Sequence, residues 1–146
     1  MPVIVVGADT ERGIQLLDAL GAHQREVRAF ISDASHTGPL RRLGVKVAVG
    51  DVSDDSHVGA AAIGAHTAVL MVEAASDERE RSFAASGAET LAKWWDAMAE
   101  ASVKRILWVG DPPERPSSPA IPSAIVDPHL PDWIDEIRRL DDALAI

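Results

Sequence analysis

The chain contains no cysteine. Disulfides, thiolate metal sites and a cysteine nucleophile are thereby excluded. Tyrosine is missing too, and the aromatic set is reduced to two phenylalanines and four tryptophans. No apolar run is long enough to span a bilayer. The opening Met-Pro-Val-Ile-Val-Val carries no basic stretch, so no secretory signal is expected. Positive charge is scarce: Lys and Arg number 14 against 23 Asp and Glu, a formal net charge of −9. A broad acidic surface repels nucleic-acid phosphates. The histidines, His23, His36, His57, His66 and His129, show no metal-ligand spacing. These absences predict a cytoplasmic protein with no nucleic-acid partner, no membrane attachment and no metal site.

What is present suits a globular fold. The 146 residues fit one domain, and 47% of them are hydrophobic, enough for a core. Strand-like and helix-like segments alternate. Val3 to Val6 is a β-branched run of the kind buried on both faces of a sheet. Ile14, Leu17 and Leu20 then recur at helical spacing. Further strands are expected at 26–32, 45–50, 67–72, 105–110 and 123–127, with helices at 36–44, 55–66, 77–102 and 131–144. This alternation predicts a three-layer, doubly wound parallel sheet of five or six strands, a Rossmann-like α/β fold. The strand order is not set by the pattern, and a flavodoxin-like order also fits. The proline-rich passage 111–122 reads as a loop within a single domain spanning 1–146, since too little chain follows it to fold alone.

Three stretches carry a family likeness: "VIVVGADTERG" (3–13), "GVKVAVGDVSDDSHVGAAAIGAHTAVLMV" (44–72) and "WWDAMAEASVKRILWVGD" (94–111). Together they resemble the NmrA-like, NAD(P)H-binding group of atypical short-chain dehydrogenase/reductases, in a shortened form. The likeness extends over nearly the whole chain.

The resemblance implies a phosphate-binding turn of the form Gly-Ala-Thr-Gly-x-x-Gly. Gly7 and Gly13 match its first and third glycines, whereas Thr10 stands at the second. Such glycines allow a sharp bend, close approach of a pyrophosphate and tight helix–strand packing, and the helix start adds free N–H groups. Thr10 is expected to fill space the pyrophosphate needs. Asp9 or Thr10 is expected to cap the helix. Asp9 and Glu11 answer the helix dipole from within and oppose an anion, partly offset by Arg12. A cap contributes about 1 kcal/mol, while each lost charge-assisted phosphate bond costs roughly 1.5–3 kcal/mol. A phosphate cradle and a retained turn without a ligand both fit this loop.

Relatives that bind NADP are implied to carry an arginine after strand two, where this chain has Ser32 and Asp33. An aspartate there suits a ribose hydroxyl and repels a 2′-phosphate, which favours NAD over NADP if either binds. Asp33 also reads as a turn residue. Asp51 matches the position that hydrogen-bonds the adenine amine, and equally reads as a loop or cap residue before the third helix. Glu73 and Ala74 follow strand four, where relatives line the ribose and nicotinamide; the carboxylate is a departure.

The Ser-Tyr-Lys proton relay of the better-known reductases is missing. There is no tyrosine, Gly110-Asp111-Pro112 stands where its serine belongs, and no lysine follows Lys104. No catalytic residue is assigned. A hydrolytic site of Asp111, Asp127 and His129 would need Ser117, Ser118 or Ser123 as nucleophile. Neighbouring helical residues point about 100° apart, so Trp95 is assigned to the core with Trp108 and Trp133, and Trp94 to an interface. Relatives dimerise through the long helix, which implies a homo-oligomer through 77–102. Three functions stand open: a non-catalytic nucleotide-binding protein, for instance a redox-responsive regulator; an interaction module without cofactor; and an oxidoreductase or epimerase lacking the relay.

Overall fold

The computed structural model describes residues 1–21, 25–114 and 121–146. His23, Ser117, Ser118 and the middle of the proline-rich passage lie outside these. Six strands form one sheet: β1 (Val3–Val6), β2 (Val27–Ile31), β3 (Lys46–Val49), β4 (Thr67–Met71), β5 (Arg105–Val109) and β6 (Ser123–Val126). All are parallel, in the order β3-β2-β1-β4-β5-β6. This is the Rossmann order, and the flavodoxin-like alternative is excluded. The order reverses beside β1, so the carboxyl ends of β1 and β4 flank a crevice.

Alternate residues of each strand serve opposite faces. Ile4, Val6, Leu70, Ile106 and Trp108 meet α3 (Asp55–Ala62) and α4 (Gly87–Glu100). Val3, Val5, Val69, Met71 and Leu107 meet α1 (Glu11–Leu20), α2 (Thr37–Arg42) and α5 (Trp133–Asp142). Helices on both faces make the three layers.

Two expectations about the long helix are corrected. It begins at Gly87, not at Asp77; Ser86 caps it by accepting from the N–H of Glu89. Phe83 therefore lies outside the helix and is exposed. Asp77 instead accepts from Arg79 and Arg81, and Arg79 reaches Asp9 and Ser32 beyond the ends of β1 and β2. Trp94 is also not an interface residue. It is 0% exposed, donates its indole N–H to the carbonyl of Val52 at 2.6 Å, and packs under α3. Trp95 is buried too, its ring parallel to that of Trp108 with centroids 6.2 Å apart. Both tryptophans fit inside because α4 is flanked by the sheet and by α3.

Candidate functional site

The turn from β1 into α1 has the backbone a nucleotide-binding crossover requires. Gly7 sits at φ 77°, and a Cβ there would lie 2.5 Å from that of Ala74. A Cβ on Gly13 would lie 2.7 Å from the carbonyl oxygen of Ala8, so the helix start presses directly on the end of the strand. Thr10 is the N-cap: its hydroxyl accepts from the N–H of Gly13 at 3.0 Å, and the residue is buried. Of the two expected caps, Asp9 and Thr10, it is the Thr10 hydroxyl that serves. It turns back into its own helix, at the cost of occupying one N–H. Those of Glu11 and Arg12 precede the helical ladder and take no bond from this cap.

Asp9 neither caps the helix nor faces an incoming anion unpaired. Its carboxylate accepts at 3.0 Å from the backbone N–H of both Ser32 and Asp33, and at 2.7 Å from Nη1 of Arg79. The same Nη1 donates to Oγ of Ser32 at 3.3 Å. Asp77 grips the other edge of that guanidinium, accepting from Nε at 2.8 and 3.0 Å. Burial works against the charge on Arg79, but its bonds to Asp77 and Asp9 prevail and raise its pKa above the ordinary value. Burial likewise pushes Asp77 up, and the Arg79 and Arg81 contacts outweigh it, leaving that carboxyl below its usual range.

Asp33 turns to a local task. It caps the 3-10 turn Ala34–His36, accepting from the N–H of Ser35 at 2.9 Å, a bond that lowers its pKa. Asp51 accepts from the N–H and hydroxyl of Ser53 at 2.8 and 2.6 Å, and from the N–H of Ser82 at 2.7 Å. Burial raises its pKa, and these bonds reverse the sign to a net lowering. Helix α3 is capped by Asp54 instead. A cleft of about 690 Å³ opens at this end of the sheet, with Asp9, Ser32, Asp33, Asp51, Arg79 and Ser82 among its walls.

On the other side of the turn lies a cleft of about 540 Å³, bordered by Arg12, Glu73, Gly110, Asp111, Asp127 and His129. Nη2 of Arg12 lies 3.4 Å from Nδ1 of His129, whose backbone N–H bonds Asp127 at 2.9 Å. Asp111, Asp127 and His129 all border this cleft, as does Ser76. Ser123 lies elsewhere, on a smaller cleft beside Trp95 and Trp108. No cluster of three or more His, Asp or Glu suited to a metal occurs among the described residues.

The residues expected from the sequence lie on both clefts, while Arg79 and Ser82, with Asp77 behind Arg79, join them only in the fold. Their signal in the sequence is "SDERERS" (76–82), a charged run ending in serine, which falls within the expected helix 77–102 but lies ahead of α4.

A parallel sheet in this order, a glycine turn at its reversal point and clefts on either side define a dinucleotide-binding Rossmann domain. Residues 7–145 match the protein family described as NAD(P)H-binding, and the chain belongs to that family. Among solved structures it is similar to an anaerobillin reductase from Escherichia coli, with 25% identity and TM-score 0.57 over 76% of this chain and 51% of that one. The NADP(H) complex of a Citrobacter triphenylmethane reductase shares 21% identity and TM-score 0.59, over 75% of this chain and 37% of the other. An NADPH-dependent quinone oxidoreductase from Escherichia coli, complexed with NADPH, shares 20% identity and TM-score 0.59, over 74% and 36%. The chain thus spans about half or less of the length of these proteins. A search of curated proteins finds no match. No described helix is long and apolar enough to cross a membrane.

Proposed function

We propose that this chain binds an adenine dinucleotide across the β1–α1 turn, NAD(H) ahead of NADP(H), and acts as a non-catalytic sensor of it. The observation that carries this reading is the pair of clefts flanking the Gly7–Gly13 turn, each within the size range of small-molecule sites. The adenosine half belongs in the cleft of Ser32, Asp33 and Asp51. The pyrophosphate crosses Gly7, Thr10 and Gly13, where Thr10 contributes backbone only and the N–H groups of Glu11 and Arg12 with the Arg12 guanidinium supply positive charge. The nicotinamide half belongs in the cleft of Arg12, Glu73 and His129.

A bound dinucleotide would supply hydride chemistry, and the chain's part in such chemistry would be to move a proton. It has no tyrosine for that step, and no lysine after Lys104 to assist one. With the proton relay missing and the cradle retained, sensing is the reading the residues favour. Burial of Trp94 removes the aromatic ground for self-association through α4.

Titration of the purified chain with NAD, NADH, NADP and NADPH tests it, read by melting temperature and tryptophan fluorescence. At a hundredfold excess over its dissociation constant a ligand stabilises by about 2.7 kcal/mol. A saturable response to NADH without oxidation of it by quinones or dyes is expected. Silence toward all four dinucleotides would refute binding. Steady turnover of any hydride acceptor would refute the non-catalytic role.

A further inference from the structure

Around Asp9 the chain has assembled an anion receptor and then filled it. Two consecutive backbone N–H groups, of Ser32 and Asp33, converge on one carboxylate oxygen, and the Arg79 guanidinium holds the other. Both side chains are largely out of water, Asp9 at 4% and Arg79 at 11% exposure. Paired N–H donors plus a guanidinium are what a phosphate group asks of a protein. Their place, at the carboxyl end of β2 on the adenosine cleft, is where the adenosine ribose of a dinucleotide lies.

We propose that Asp9 is a built-in substitute for the ribose 2′-phosphate, so that the site accepts dinucleotides with a free 2′-hydroxyl and excludes 2′-phosphorylated ones. The inference rests on the dinucleotide reading given above, and assigns its selectivity to Asp9 rather than to Asp33. Asp33 is spent on the N–H of Ser35 and stands exposed. Asp9 already engages both converging N–H groups and Nη1 of Arg79, the donors this receptor would turn to a 2′-phosphate. A phosphate brought there would have to displace a buried carboxylate or lie against it. A 2′-hydroxyl, by contrast, can donate to the carboxylate without disturbing Arg79. Asp77 keeps the guanidinium in place from its far edge, so the receptor outlasts the loss of Asp9.

The test compares wild type, Asp9→Ala and the double variant Asp9→Ala with Arg79→Gln, measuring dissociation constants for NADH and NADPH by fluorescence. Wild type is expected to favour NADH at least tenfold. Asp9→Ala, which empties the receptor, should move the ratio at least tenfold toward NADPH, and the double variant should lose that gain. Equal or tighter binding of NADPH by wild type overturns the proposal, even where the variants fail to fold. So does an unchanged ratio in a folded Asp9→Ala. Should wild type bind neither dinucleotide, the fragments adenosine 2′-monophosphate and adenosine 5′-monophosphate decide. Selective capture of the 2′-phosphate by Asp9→Ala alone supports the receptor while the dinucleotide reading fails. No capture by either protein overturns both.

Discussion

Thr67, at the start of β4, donates its hydroxyl to the carboxylate of Asp141 near the end of α5 at 2.7 Å, across 74 positions of sequence. Both are buried. Arg25 pairs with the other oxygen of Asp141, and Arg105 reaches the carbonyls of Leu140 and Ala143 at the same helix end. Three cationic or polar groups from the amino ends of the sheet thus fasten the last helix. Asp141→Ala removes the acceptor shared by the Thr67 hydroxyl and Arg25, which keep only His66 Nδ1 and Asp142, and should cost about 2 kcal/mol. Urea unfolding measures it; a midpoint within error of wild type would show the pair to be incidental.

Thr10→Ala removes the cap on Gly13 and should lower stability by about 1 kcal/mol. Thr10→Gly should cost only about 0.3 kcal/mol, since glycine is itself tolerated as a cap, and should free the Gly13 N–H for a phosphate, so its affinity for NADH should equal or exceed that of wild type. Calorimetric titration of both variants checks this. A loss of NADH binding in Thr10→Gly would mean that the hydroxyl itself contacts the ligand.

Acid should loosen the 76–86 segment from the sheet ends. Asp51 holds Ser82 and Asp77 holds Arg79, and both carboxyls lie below their ordinary value of 3.8. A depressed folded pKa contributes stability that is present above 3.8 and is lost as pH falls from there through the lower folded value. Melting temperature should therefore drop over that acid window, and Asp51→Asn should show a shallower drop from a lower starting point. An identical acid profile in the variant would exclude Asp51 as a source of the dependence.

Trp94→Phe deletes an indole and leaves the Val52 carbonyl unpaired in the core. A loss of about 2 kcal/mol is expected, with no change of oligomeric state by sedimentation. A shift in sedimentation would reinstate this tryptophan at an interface.

Much of the fold could be read directly. Every expected strand exists within a residue or two, because a β-branched run such as Val3–Val6 or an apolar block such as Arg105–Val109 carries its own period. Helix α1 was legible from Ile14, Leu17 and Leu20 for the same reason. The stretch 77–86 departs from the expected helix 77–102, which starts only at Gly87. Its conformation is set by bonds to Asp9, Asp51 and Ser53 on other elements. Thr10 was identified as a departure from the glycine pattern, but the direction its side chain takes depends on a hydrogen bond within α1. The adjacency of Trp94 and Trp95 suggested that one must face outward; α3 covers the side that a lone helix would leave bare.

By itself the sequence determined the class of elements, their alternation and hence the parallel α/β architecture, together with the glycines of the first turn. Those properties depend on residue type and on spacings of two to four positions, which the chain carries locally. Only the tertiary structure decided the strand order, the inward turn of both neighbouring tryptophans and the meeting of Asp9 with Arg79, 70 positions away. A carboxylate's partner is chosen by which groups the sheet and its crossovers bring within about 3 Å, and no local pattern encodes that distance.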